Sequence, residues 1–202
     1  QGRYAYNQQP RIGHWNLAQF AQTLLPLLAE DEDAAVEVAR DALDAYAPAF
    51  ERTYNAGLLA KIGLGEEREG DLELVSDLLR RMAEQRADFT LTFRRLADLA
   101  RDDAGADETV RALFADPAAF GDWAERWRER LVADDRSDEA RRQAMQAVNP
   151  AYIPRNHRVA EAIAAARDEQ DLQPLEDLLN VLADPYADHP ERFVKGLPKP
   201  PQ

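Results

Sequence analysis

The chain has no cysteine, which excludes disulfides, a thiolate nucleophile and any Cys-based zinc or iron–sulfur centre, and makes a reducing, cytoplasmic setting the expectation. Lysine is scarce as well: Lys61, Lys195 and Lys199 stand against twenty-two arginines. Of the two serines, Ser76 and Ser137, neither lies in a Gly-x-Ser-x-Gly elbow, so they read as surface or cap residues rather than nucleophiles. Glycine is limited to nine residues. The best phosphate-cradle candidate, Gly63-Leu64-Gly65-Glu66-Glu67, lacks the lysine and places two acids where an anion would sit, so it reads as a helix-ending turn. The three histidines (His14, His157, His189) are far apart, and no His-Glu-x-x-His occurs. The acidic clusters Asp31 to Asp33, Asp102-Asp103 and Asp134-Asp135 lack the glycine and glutamate that complete a calcium loop, so they read as solvated helix ends and no metal ligand is assigned. No run of about 18 apolar residues is present to cross a bilayer. Basic excess is missing too: thirty-eight acids against twenty-five bases give a net charge of −13, which repels nucleic-acid backbones and anionic membrane surfaces. Neither partner is expected.

What the sequence does contain is helical periodicity. Alternating apolar–polar runs are missing and apolar residues recur at three and four, which predicts an all-α fold of about eight to nine helices. Residues 1–13 carry Gly2, Pro10 and Gly13 and are expected to form an extended lead-in. A first helix, residues 14–28, is apolar nearly all round and is expected to be buried on several sides, with Pro26 bending or ending it. A long second helix opens after Asp31-Glu32-Asp33 and runs to about Leu58 with a kink at Pro48. Asp71, Asp88 and Ser137 are expected helix caps, and Asp116-Pro117 a restart signal. Trp123 and Trp127 lie four apart on one face and are read as core rather than as a ligand platform. The helical domain is expected to span 14–183, followed by a Pro-rich tail, 184–202, laid over the surface. The first residue is Gln1 rather than Met, so the chain is expected to be cut from something longer.

Arg3-Tyr4-Ala5-Tyr6-Asn7-Gln8-Gln9-Pro10 followed by Trp15-Asn16-Leu17 resembles the selenoprotein O family of protein adenylyltransferases, in which Arg-Tyr-Ala-Tyr, Asn-Gln-Pro and Trp-Asn-Leu follow one another. Further blocks recur in the family's order: Tyr54-Asn55 with Lys61-Ile62-Gly63-Leu64, then Asp88-Phe89-Thr90 with Phe93-Arg94-Arg95-Leu96, then Trp123 with Arg130-Leu131. The most specific block is Met145, Asn149-Pro150, Tyr152-Ile153-Pro154-Arg155-Asn156-His157 and Ala162-Ile163, closing with Asp184-Pro185-Tyr186. Two departures stand out: Gln8 replaces the usual Asn, and the Cys-containing terminus that the family often carries is missing.

The resemblance implies a kinase-like transferase that moves AMP from ATP onto protein hydroxyl groups with Mg²⁺ or Mn²⁺. Its lysine, glutamate, phosphate-holding arginines, catalytic Asp and Asn, and metal-binding Asp all precede the Arg-Tyr-Ala-Tyr stretch, so no catalytic, cofactor-binding or metal-binding residue is assigned here. Residues 1–13 would be the end of an activation-segment-like loop, and 14–28 the organising helix of the C-lobe. The chain is expected to be the helical scaffold of the enzyme, inactive alone, with the missing N-terminal catalytic lobe and protein substrates as the parent's partners. Its structural anchors would be Arg3, Tyr4, Tyr6, Gln9, Pro10, Trp15, Asn16, Asn149, Pro150, Arg155 and Asn156. A rival reading is a stand-alone acidic helical module that recruits a basic partner.

Overall fold

A computed structural model describes residues 2, 5–101 and 105–188, and these are helical with no strand among them. The helices are α1 (Gln9–Leu28), α2 (Glu32–Asp44), α3 (Tyr46–Lys61), α4 (Asp71–Glu84), α5 (Phe89–Leu96), the single turn α6 (Glu108–Arg111), α7 (Ala118–Val132), α8 (Asp138–Val148), α9 (Asn156–Ala164) and α10 (Gln173–Leu182). The chain divides into two compact units, residues 1–56 and 57–202.

In the first unit α1 packs on α2. The extended lead-in expected over 1–13 gives way to a 3-10 turn at Tyr6–Gln8 and a helix that starts at Gln9, earlier than His14. Pro10 explains the difference: in the first turn its missing N–H has no intrahelical acceptor to satisfy, and its fixed φ suits the helix. Pro26 lies inside α1, which runs two residues past it. The expected long second helix is two helices, broken at Ala45, and Pro48 falls in the first turn of α3 rather than at a kink. The Asp31 side chain caps α2 by accepting from the Ala34 N–H at 2.9 Å. No residue of α1 is buried: Trp15 is 48%, Phe20 60% and Leu27 81% exposed. A helix that is apolar all round needs cover on every side. Within this unit α1 packs mainly against α2, with Tyr46 at the start of α3 touching Pro10 and His14, and this leaves much of its apolar surface open.

The second unit holds the core. Ile62, Leu64, Leu74, Val75, Leu78, Phe93, Leu96, Leu99, Phe120, Leu131 and Met145 close around Trp123 and Trp127, which are fully buried and stacked at 5.8 Å. Each indole donates to a backbone carbonyl at 2.8 Å, Trp123 to Leu74 and Trp127 to Ile62, so neither buried N–H is left unpaired. Gly63 turns the chain after α3 with φ +79°, and a side chain there would strike Arg141 and Met145. Asp88 and Ser137 cap α5 and α8 through the Leu91 and Ala140 N–H groups. The cap of α4 is Gly70, not Asp71; Asp71 is the first helical residue and is buried for another purpose. Within the expected tail, Ala151 and Tyr152 donate their N–H groups to the Pro185 carbonyl; residues 189–202 lie outside the described residues.

Candidate functional site

Local chemistry around the expected motifs resolves into paired charges. Gly63-Leu64-Gly65 is a turn whose Gly63 carbonyl accepts from Arg136 at 2.6 Å, and Arg136 also grips Asp134. That contact holds the Asp134 carboxyl down at about 2. Asp77 takes Arg80, Arg81 and Arg126 together; burial pushes its carboxyl up, but the three guanidinium groups outweigh this and leave it below the ordinary value. Asp71 receives a two-pronged contact from Arg130 and the Arg68 N–H, while Asp107 pairs with Arg128. Among the described residues no group of His, Asp and Glu is placed to hold a metal ion.

The motif blocks around Lys61, around Asp88 to Arg94 and around Asn149 to Arg155 meet in one place, while Trp123 and Arg130 face Leu74 and Asp71 instead. Lys61, the last residue of α3, extends its ammonium to Asn149 Oδ1 at 3.2 Å and to the Val148 carbonyl at 3.4 Å. It lies 5.4 Å from the Phe93 ring centre and 5.9 Å from that of Phe89. Asn149 answers by donating Nδ2 to the Lys61 carbonyl at 2.9 Å. Desolvation pushes the Lys61 ammonium below the ordinary lysine value. From α5, Arg94 donates to the carbonyls of Gln146 and Asn149, so two cations sit on the carbonyl end of α8, where the helix dipole favours positive charge. Arg94 also pairs with Asp188 at 2.9 Å, and Arg155 with Asp88 at 2.7 Å. Burial raises the Asp88 carboxyl, but Arg155 and the capped backbone leave it below the ordinary range. The described cluster joins helix ends, and its polar groups are engaged with one another: Asp88 with Arg155, Asp188 with Arg94, and Lys61 with Asn149.

The expected anchors therefore fall into two sets. Asn149, Pro150, Arg155 and Asn156 belong to this junction: the Asn149 side chain is fully buried, Pro150 follows it, and Arg155 and Asn156 open α9. Gln9, Pro10, Trp15 and Asn16 lie on α1, Tyr6 precedes it and is 90% exposed, and Arg3 and Tyr4 lie outside the described residues. Around α1, Tyr46 donates its hydroxyl to the Pro10 carbonyl and stacks with Phe50, which stacks with Tyr54. His14 tilts against Tyr46, His157 is exposed and His189 lies outside the described residues. Of the acidic clusters, Asp102-Asp103 also lies outside them. Sequence reasoning missed the buried ions: Arg94, Arg141, Asp71 and Asp107. Arg141 lies over Trp127 and donates to the Leu99 carbonyl at 2.7 Å. Nothing in a helical run of arginines and acids marks which of them will be enclosed.

The sequence profile described as "Protein adenylyltransferase SelO" matches residues 1–183. A "Protein nucleotidyltransferase YdiU" of Rhodopseudomonas palustris (strain BisB18) is 52% identical over 201 residues, covering 100% of this chain and 40% of that protein. The protein of the same name from Bradyrhizobium diazoefficiens is 54% identical over 200 residues, 99% of this chain and 40% of its own length. A third, from Methylorubrum extorquens, is 53% identical over 195 residues, 94% of this chain and 39% of its own. The chain thus spans about two fifths of the length of these relatives, and it belongs to the SelO family of protein adenylyltransferases.

Proposed function

We propose that this chain is the C-terminal helical part of a protein adenylyltransferase that transfers AMP from ATP, with Mg²⁺ or Mn²⁺, to hydroxyl side chains of protein substrates, and that it serves the enzyme as scaffold rather than as catalyst. The observation that carries this reading is the match itself: the whole chain aligns with two fifths of relatives named as nucleotidyltransferases. Two features support the scaffold role. The resemblance places the nucleotide-handling and metal-binding residues ahead of Arg3. The open apolar residues Trp15, Phe20 and Leu27 on α1 are what a helix built to be covered by another part of the parent would present. On this reading ATP and the metal would be held by the part of the parent that the resemblance places ahead of Arg3, and that part would supply the nucleotidyl-transfer chemistry when they are bound.

Complementation in trans tests the proposal. The 202-residue chain is mixed with the remaining N-terminal portion of the Rhodopseudomonas relative, ATP labelled in its α-phosphate, Mg²⁺ or Mn²⁺ and a hydroxyl-bearing protein acceptor. Label is expected on the acceptor only when both pieces are present. Transfer by the 202-residue chain alone, or full transfer by the N-terminal portion alone, would overturn the scaffold reading.

A further inference from the structure

The C-terminal hairpin of the second unit is built differently from the body that carries it. Helix α9 runs into a π-turn at Ala165–Glu169, Gln170 closes that turn in the left-handed region with φ 56°, and α10 packs back against α9. Only Ala162 on α9 and Val181 on α10 are buried, and neither belongs to the contiguous core around Trp123 and Trp127. Ile163, Leu172, Leu175 and Leu179 remain open to solvent. Little apolar surface therefore cements the hairpin, and elements of that kind lie at the low end of a protein's range of local stability.

Polar fastenings at the base replace the missing apolar ones. The incoming loop, residues 149–155, and the outgoing segment, 183–188, are tied to each other where Ala151 and Tyr152 donate to the Pro185 carbonyl at 2.8 and 3.2 Å. Each is then fastened to one end of the same helix. Arg155 of the incoming loop pairs with Asp88, the N-cap of α5, and Asp188 of the outgoing segment pairs with Arg94 in the last turn of α5. Among the described residues, the side-chain hydrogen bonds and ion pairs of 156–182 stay within the hairpin, as in Arg158–Glu161 and Gln173–Asp177.

We propose that residues 156–182 form an arm that opens as a unit independently of the body, hinged on its two base segments and held closed by two ionic pins, Arg155–Asp88 and Asp188–Arg94, at opposite ends of α5. The pins set the closed fraction. Asp188 is largely exposed and Arg94 is not, so the second pin opens by withdrawal of Asp188 and leaves a buried guanidinium bound to the carbonyls of Gln146 and Asn149. High ionic strength weakens both pins while leaving the apolar body intact.

Amide hydrogen exchange on the 202-residue chain, read peptide by peptide, tests this. Asp88→Asn keeps an N-cap side chain and removes only the charge, and Asp188→Asn alters an exposed residue, so neither change attacks the core. In the double variant the amides of 157–182 are expected to exchange about tenfold faster or more, and those of α4 and α7 to change less than about twofold. Wild-type protein in about 1 M NaCl should show the same pattern more weakly. The proposal is overturned if the wild-type arm and α7 open in one cooperative event, if the double variant leaves 157–182 unchanged, or if it deprotects α4 and α7 equally.

Discussion

Asp71 shows how one residue outgrows its local role. Its place at the start of a helix reads as a cap, yet its carboxylate is enclosed with Arg130 and the Arg68 N–H, bonded across 59 residues of chain. Asp71→Asn leaves the Arg130 guanidinium without its counter-charge. The expected loss is about 3–5 kcal/mol in urea unfolding, against less than about 0.5 kcal/mol for an exposed control such as Glu73→Gln. Asp134 gives the pH dependence. Its carboxyl lies at about 2 when folded, below the ordinary 3.8, because Arg136 hydrogen-bonds to it. A depressed carboxyl stabilises the fold fully above the unfolded value and loses that contribution as pH falls through the folded one. Stability should therefore decline from about pH 4 to about pH 2, and Asp134→Asn should flatten that decline in urea titrations across the window. Burial raises the carboxyls of Asp88 and Asp138, yet Arg155 on the first and Arg141 with Arg101 on the second hold them below the ordinary value, so both act in the same direction as Asp134.

At the scale of the element, the caps are the best-read features: Asp31, Asp88 and Ser137 each accept from the N–H three residues on. The bond spans one turn, so the sequence around it contains all the physics. Prolines read less well because their effect depends on position within a turn. Pro10 and Pro48 are harmless in first turns, whereas Pro26 sits near the end of α1 with its ring against the preceding turn. Pro26→Ala restores an N–H donor toward the Gln22 carbonyl. Helical ellipticity of the chain is expected to rise, with a gain for α1 of up to about 3 kcal/mol; unchanged or reduced ellipticity would mean that the proline is needed where it is.

For the whole molecule, the two units differ in what holds them. The second encloses Trp123 and Trp127, the phenylalanines Phe93, Phe114 and Phe120 and a ring of leucines, while the buried apolar residues described in 1–56 are Ala35 and Ala39. So little burial cannot offset the ordering entropy of some fifty residues. Limited trypsin digestion of the 202-residue chain should cut first at Arg11, Arg40 or Arg52, leaving a resistant product that contains α4 to α8, as mass spectrometry would show; first cuts within α4 or α7 would contradict this. The sequence by itself determined the helical class, most helix ends, the caps, the identity of Trp123 and Trp127 as core and the family, since each rests on periods of three or four residues or on ordered motif blocks. Tertiary structure alone decided which ions are enclosed, where the chain divides, and that α5 fastens the C-terminal hairpin. The reason is distance along the chain: Arg130 reaches Asp71 over 59 residues, Arg141 reaches Leu99 over 42 and Arg155 reaches Asp88 over 67. A buried arginine and a solvated one have the same neighbours within a helical turn, and only the packing of distant helices removes one of them from water.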